Sequence, residues 1–229
     1  MNAIRVSLTI LTLLFSFTTM SPAWAKKDLP AFNDEGMELV KNSDLATVYA
    51  DPGADLSIYN RVMLLDATVA FKKNWKRNQN RSNSLKVRDS DMVKIEEEVA
   101  EIFREVFTKE LVDGGYEIAD EEGEGVLLVK PAIVDLDVTA PDIPHAGRSM
   151  SFAESAGEMT LNLELFDSLT NDKIAKATDR KRDNTSGLRM EWRTSVSNRA
   201  DAKRMMRGWA KALRSALDEA RASTNPTVD

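Results

Sequence analysis

The segment EMTLNLELF, residues 158–166, alternates between polar and apolar side chains from Glu158 to Leu165. Because successive side chains of a β-strand point to opposite faces, this period of two predicts a strand with one buried and one wet face. Such a strand is typical of an antiparallel sheet. The turn residues at 168–172 predict a hairpin to a partner strand at residues 174–182. The side chains expected to face the core are Met159, Leu161, Leu163 and Leu165.

Two segments with helical spacing flank this hairpin along the chain. The first is predicted to begin at Ser90 or Asp91 as N-cap and to run through Val112, ending at Gly114-Gly115. The second is predicted to begin at Ser197 or Asn198 and to run to residue 222. The apolar stripe of the first helix is Met92, Ile95, Val99, Ile102 and Val106, and that of the second is Met205, Met206, Trp209, Leu213 and Leu217.

Three further segments are predicted as strands, at residues 61–71, 116–119 and 126–138. In the last, Pro131 is expected to shift the phase, so that the inward side chains after it are Ala132, Val134, Leu136 and Val138. Residues 72–88 and 140–155 are predicted as loops, and residues 184–196 as a linker. The order β-α-β-β-β-β-α predicts an α+β fold, a two-layer sandwich with a mainly antiparallel sheet and both helices on one face.

The N-terminal 25 residues have the pattern of a secretory signal peptide. Arg5 precedes an uncharged run, and Ala23 and Ala25 form the small-residue cleavage site. We expect cleavage after Ala25, a periplasmic location and a mature chain without a transmembrane span. Because the sequence contains no cysteine, we also expect no lipid anchor. The predicted organisation is a signal peptide (1–25), an irregular N-terminal arm (26–60), one α+β domain (61–222) and a flexible tail (223–229).

Composition restricts the classes of function. Removing residues 1–25 takes away one basic and no acidic side chain, so the net charge falls from −6 to about −7. An exported acidic chain argues against a nucleic-acid binder. Without cysteine, and with His145 as its one histidine, the sequence predicts no zinc site. His145 lacks any surrounding nucleophile motif, so we predict no catalytic residue, no metal ligand and no cofactor.

Carboxylates on the predicted strands leave one enzymatic alternative open. Asp135 and Asp137 share a strand face, and Glu158 and Glu164 lie on the next strand. Such a group is able to hold a hard cation or to act as an acid–base pair. The competing interpretation is a solvated sheet face, in which these carboxylates pair with basic side chains of the neighbouring strand. Those side chains are Lys176, Arg180 and Arg182.

The strongest charge pattern is in the predicted loop at residues 72–88, which has seven basic side chains and no acidic one. An aromatic residue inside a cationic loop suits contact with lipid headgroups, lipopolysaccharide phosphates or an acidic protein. The alternative is internal neutralisation, because residues 89–124 have a net charge of −11 and residues 173–214 of +9. The candidate binding residues are Lys72, Lys73, Trp75, Lys76, Arg77 and Arg81.

Three segments resemble bacterial envelope proteins grouped as domain of unknown function 3313. They are the leader and first strand at residues 36–66, the hairpin at residues 158–180, and the closing helix with Trp209 at residues 201–221. The resemblance covers nearly all of the mature chain and implies an envelope location and this architecture, without implying a reaction. Members of the family are often lipoproteins, and this chain differs in having no lipobox cysteine.

Together these observations favour an exported periplasmic protein that is a non-enzymatic binding or adaptor module. Its expected partner is an envelope protein or another anionic envelope component. Two alternatives stay open. One is a carboxylate-dependent hydrolase or transferase; the other is a homo-oligomeric structural envelope protein, whose edge strand and basic loop form a self-complementary contact.

Overall fold

The predicted strand at residues 158–166 lies at the centre of an open, mixed β-sheet. The computed structural model describes residues 29–82, 86–138, 151–153, 157–182, 191–193 and 195–224. Their elements are β1 (Glu38–Leu39), β2 (Thr47–Ala50), a 3₁₀ turn (Leu56–Ile58), β3 (Arg61–Leu64), β4 (Thr68–Phe71), α1 (Trp75–Ser82), α2 (Asp89–Asp113), β5 (Glu117–Ile118), β6 (Val126–Val138), β7 (Ser151–Ala153), β8 (Gly157–Asp167), β9 (Lys173–Arg182), β10 (Glu191–Arg193) and α3 (Ser195–Thr224).

Within the described residues the main sheet has eight strands. Seven lie in the order β1-β2-β9-β8-β6-β3-β5, and β4 pairs with β6 beyond the end of β3. The neighbouring pairs β1–β2, β2–β9, β9–β8 and β8–β6 are antiparallel. In contrast, β3 and β4 pair parallel with β6, and β5 pairs parallel with β3. In the chain, α2 lies between β4 and β5, and α3 follows the last strand of the sheet. Because both long helices cover one face of this sheet, the fold is α+β, as the sequence predicts.

The core lies between the apolar face of the sheet and the helices α2 and α3. The inward side chains of β8 join those of both helices in one cluster, in which Leu161, Phe103 and Trp209 are fully buried. The stripes predicted from helical spacing therefore face the core as expected. Gly115, which follows α2, adopts a positive φ of 81°, so the predicted helix end is confirmed.

Two details of the predicted strands are wrong. The segment at 61–71 is not one strand, because it is interrupted between β3 and β4, where Asp66 accepts a hydrogen bond from Arg104 of α2. In β6 the phase does not shift at Pro131, since Pro131 and Ile133 are inward and buried. The shift occurs at Asp135, which has a φ of 52° at a bulge in the pairing with β8. Aspartate tolerates this left-handed conformation better than most residues. Ala132 and Val134 therefore lie on the outer face.

Several segments expected to be irregular contain regular structure. The arm at 26–60 supplies β1 and β2, and β2 extends the sheet by pairing with β9. The predicted loop at 140–155 and linker at 184–196 contain β7 and β10, which pair with each other. The helix α3 begins at Ser195, two residues before the predicted cap. The N-cap of α2 is Arg88, two residues before Ser90, the earlier of the two predicted caps, and the Asp91 carboxylate accepts from the Arg88 N–H at 2.8 Å. Residues 1–28 and His145 lie outside the described residues.

Candidate functional site

The basic segment at residues 72–88 is not wholly a loop, because residues Trp75–Ser82 form the helix α1. Trp75 is the residue that fixes this helix to the domain. Its ring stacks on Phe71 with centroids 4.2 Å apart, and its indole N–H donates to the Val138 carbonyl at 3.2 Å. Gln79, one turn further on, donates to the same carbonyl at 3.3 Å. Trp75 is only 3% exposed, so its predicted role as an exposed contact residue is wrong.

The six predicted binding residues therefore divide into three groups. Trp75 is buried, and two of the cations are already ion-paired: Lys72 with Glu158 at 2.7 Å and Lys76 with Asp89 at 2.7 Å. The remaining three, Lys73, Arg77 and Arg81, are exposed and have no acidic partner within the part of the chain that the structure describes. We call these three side chains the basic surface. Arg77 and Arg81 lie one helical turn apart on α1.

Three of the four carboxylates of the enzymatic alternative, Asp137, Glu158 and Glu164, are paired with cations, whereas Asp135 has no ion pair among the described residues. Glu158 lies between Lys72 and Arg180, each at 2.7 Å, and Lys72 also contacts Asp137 at 3.3 Å. Hydrogen bonds from Lys72 and Arg180 hold the pKa of Glu158 below its ordinary value. A carboxyl group with a lowered pKa is ionised at neutral pH and is a poor proton donor. This arrangement is the cross-strand pairing expected of a solvated sheet face, in which Glu164 likewise pairs with Lys173.

Much of the remaining charge is neutralised between the two long helices. Among the described residues, three ion pairs join them: Arg199–Glu98, Lys203–Glu105 and Arg214–Glu110. The acidic block that contains α2 and the basic block that contains α3 therefore balance each other along the helix interface, as the alternative interpretation predicts. The basic surface lies outside this arrangement: among the described residues, the ion pair between α1 and the acidic block is Lys76–Asp89.

A second feature of the structure, which we call the apolar groove, has a volume of about 250 Å³. It lies between the N-terminal arm and α3. Its floor is the apolar face of β8 and β9, with Leu163, Ala175 and Ala177, and its walls include Val48 of β2 and Ala216 of α3. The sequence analysis did not identify this groove. The sequence does contain one indication of it, the pattern of small side chains. Alanine occupies alternate positions of β9, at 175 and 177, and positions one turn apart on α3, at 212 and 216.

A buried carboxylate holds together the elements that form the groove. Asp179 of β9 is 8% exposed and accepts two hydrogen bonds from different parts of the chain. The Trp209 indole of α3 donates to one oxygen at 2.7 Å, and the Ala46 N–H of the arm donates to the other at 3.0 Å. Lys181 lies beside this pair, with its ammonium 5.5 Å from the centre of the Trp209 ring, and burial lowers its pKa.

Among the described residues, no group of three acidic or histidine side chains is arranged to hold a metal ion. Within the same residues, no helix has both the length and the apolar character needed to cross a membrane. The basic surface and the apolar groove are two features of the described residues that are available for contact with other molecules.

The fold and these surfaces define a two-layer α+β domain with a pinned basic helix and an open apolar groove. The chain belongs to the family described as protein of unknown function (DUF3313), whose model matches residues 32–213. The sequence-based resemblance to that family is confirmed. No curated protein matches the sequence.

Several solved structures are similar to this chain at low sequence identity. The PelC dodecamer from Paraburkholderia phytofirmans is 11% identical with a TM-score of 0.32, covering 71% of this chain and 95% of that one. A Xanthomonas campestris protein matched by the DUF330 family model is 12% identical with a TM-score of 0.38, covering 73% and 92%. A minor lipoprotein from Acinetobacter baumannii is 6% identical with a TM-score of 0.32, covering 69% and 95%. The assignment of this chain therefore rests on the family model.

Proposed function

We propose that this protein is an exported, non-enzymatic binding module of the cell envelope that docks on anionic lipid headgroups through the basic surface. One observation carries the proposal. Lys73, Arg77 and Arg81 are exposed and lack acidic partners among the described residues. Arg77 and Arg81 lie on α1, which Trp75 fixes to the domain, and Lys73 lies two residues before that helix. A fixed group of cations binds phosphate with a smaller entropic cost than the same cations on a mobile loop.

Export supports the choice of a lipid surface. The signal-peptide pattern at residues 1–25 directs the mature chain to a compartment bounded by membranes, with processing after Ala25. The ion-paired state of Glu158 supports a binding rather than a catalytic role, because its carboxylate, like those of Asp137 and Glu164, is already paired with a cation.

The size of the effect follows from the charge count. Each lysine or arginine near an anionic membrane surface contributes about 1 kcal/mol to binding. Three cations therefore contribute about 3 kcal/mol, which corresponds to roughly a hundredfold change in the partition coefficient. The excess of acidic charge elsewhere weakens this attraction only slightly, since charges further away than about 8 Å are screened in physiological salt.

The test is cosedimentation with lipid vesicles. The mature chain is mixed with vesicles of phosphatidylglycerol and phosphatidylcholine, or with phosphatidylcholine alone. The triple variant Lys73→Gln, Arg77→Gln, Arg81→Gln is expected to lose most of its binding to the anionic vesicles, while its thermal stability stays the same because exposed cations contribute little to folding.

A matched control has the same loss of charge at another surface. Lys94, Arg207 and Lys211 are also exposed and have no ion pair within the described part of the chain, and they lie on α2 and α3. Their triple glutamine variant should bind anionic vesicles as the unmodified chain does. Equal binding to both kinds of vesicle, or equal loss in both triple variants, would show that the basic surface does not bind lipid headgroups.

A further inference from the structure

The apolar groove is a cavity that the proposed docking surface does not use. We propose that it binds one aliphatic chain of about ten carbon atoms whose head is uncharged. The groove does not depend on the basic surface, because that surface lies on α1 and in the turn before it, whereas the groove lies between the arm and α3. The two proposals therefore succeed or fail separately.

Small side chains on two facing layers create the space. Ala175 and Ala177 lie on the sheet, and Ala212 and Ala216 lie on the helix that covers it. Elsewhere between the sheet and α3 the side chains are larger, as at Leu161 and Trp209, and there the interface is fully packed. Four alanines across from each other leave an apolar slot rather than a packed contact, and apolar slots favour hydrocarbon over water.

The walls of the groove are held in place before any ligand binds. The strand β2 pairs with β9 along its whole length, from Thr47 to Ala50. The Ala46 N–H, just before it, is fixed to Asp179, and Asp179 in turn is fixed to the indole of Trp209. One carboxylate thus connects the arm, the sheet and α3. A site that is already formed loses little conformational entropy when a ligand enters.

The volume sets the length of the ligand. An engineered apolar cavity of about 150 Å³ holds one benzene molecule, which has six carbon atoms. In proportion, the 250 Å³ of the apolar groove accommodates about ten carbon atoms. A chain of eight to ten carbons is therefore a suitable occupant.

The rim of the groove selects the head of the ligand. Its charged side chains are Lys41, Asp44 and Glu219, so the rim has one more negative than positive charge. Hydroxyl and amide groups from Ser43, Ser215 and Asn42 complete it. A carboxylate head would meet net repulsion here, whereas a hydroxyl head finds hydrogen-bonding partners.

The test is isothermal titration of the mature protein with 1-octanol and, separately, with octanoate. We expect saturable binding of 1-octanol and binding of octanoate that is about fivefold weaker, which corresponds to one unit-charge repulsion of about 1 kcal/mol. Octanoate that binds as tightly as 1-octanol would overturn the assignment of an uncharged head, and the absence of saturable 1-octanol binding would overturn the site itself.

Two variants of one helix place the binding in the groove. Ala216 is an exposed residue of α3 that lines the groove, and Ala200 is an exposed residue of the same helix outside it. The Ala216→Leu variant should weaken 1-octanol binding by about tenfold or more, because added methyl groups occupy the slot. The Ala200→Leu variant should bind as the unmodified chain does. Since both positions are exposed, neither change disturbs the core, and circular dichroism checks this. Equal affinity in the two variants would show that 1-octanol binds elsewhere.

Discussion

Replacing Trp209 by phenylalanine tests how the sheet, the arm and α3 are joined. The change keeps an aromatic ring in a fully buried position but removes the N–H that donates to Asp179 at 2.7 Å. A hydrogen bond to a carboxylate contributes about 1.5–3 kcal/mol to stability, and the smaller ring leaves a void that costs about 1 kcal/mol more. We therefore expect the free energy of unfolding to fall by about 2.5–4 kcal/mol.

The assay is urea unfolding followed by far-ultraviolet circular dichroism, because removing Trp209 also changes the fluorescence signal. Phe103→Leu is the control, since Phe103 is equally buried in the same core but its ring has no hydrogen-bonding group. That change should cost less, below about 1.5 kcal/mol.

A double-mutant cycle with Asp179→Asn isolates the hydrogen bond from the loss of volume. Ala46 and Trp209 donate to different oxygens of Asp179, and asparagine replaces one of these oxygens with an NH2 group, so one of the two donors loses its acceptor. Once Trp209 is phenylalanine, Asp179→Asn should cost less than it does in the unmodified chain, with a coupling energy of at least about 1 kcal/mol. Additive effects within about 0.5 kcal/mol would refute the reasoning that Asp179 joins these elements.

Two further predictions concern the sheet face and export. Because Lys72 and Arg180 lower the pKa of Glu158, their stabilisation is fully present above its ordinary pKa of 4.5 and is lost as the pH falls through the lowered value. At neutral pH, Glu158→Gln should lower the free energy of unfolding by about 1 kcal/mol, and this loss should disappear at about pH 3. The control Glu97→Gln, at an exposed position of α2, should have little effect at either pH. Urea unfolding at both pH values measures these differences. The cellular protein should begin at Lys26, as read by mass spectrometry of its N-terminal peptide, and an intact Met1 on the soluble protein of the cytosol would contradict export.

The sequence predicted the elements whose burial follows a simple period. Residues 158–166 and the stripe from Met205 to Leu217 each match one structural period, and both face the core in the structure. The family resemblance rested on the same patterns, and the family model confirms it over residues 32–213.

The helix α1 was missed for a physical reason. It has a single apolar anchor, Trp75, and polar or charged residues at its other seven positions, so no periodic stripe exists to be recognised. Its position depends on contacts with Phe71 and Val138, which are distant from one another in sequence. For the same reason, the sequence did not show which of the six candidate binding residues face solvent.

The local sequence does not decide which residue of β6 reverses the alternation of inward and outward side chains. Proline and aspartate both interrupt regular strands, and the structure places the bulge at Asp135 rather than at Pro131. The apolar groove depended on which alanines face each other across layers, and that arrangement is defined only once β2, β9 and α3 are assembled. The two proposed binding surfaces are thus tertiary features, while the core is encoded locally.

The most direct test of the central claim is the salt dependence of binding to anionic vesicles. The partition coefficient of the mature chain on phosphatidylglycerol vesicles should fall by about tenfold or more between about 50 and 300 mM NaCl, because exposed cations are screened as salt rises. The charge-reversed variant Lys73→Glu, Arg77→Glu, Arg81→Glu should show no binding at either concentration. Binding of the unmodified chain that does not change with salt, or binding of the charge-reversed variant equal to it, would contradict the assignment of these three side chains as the lipid-binding surface.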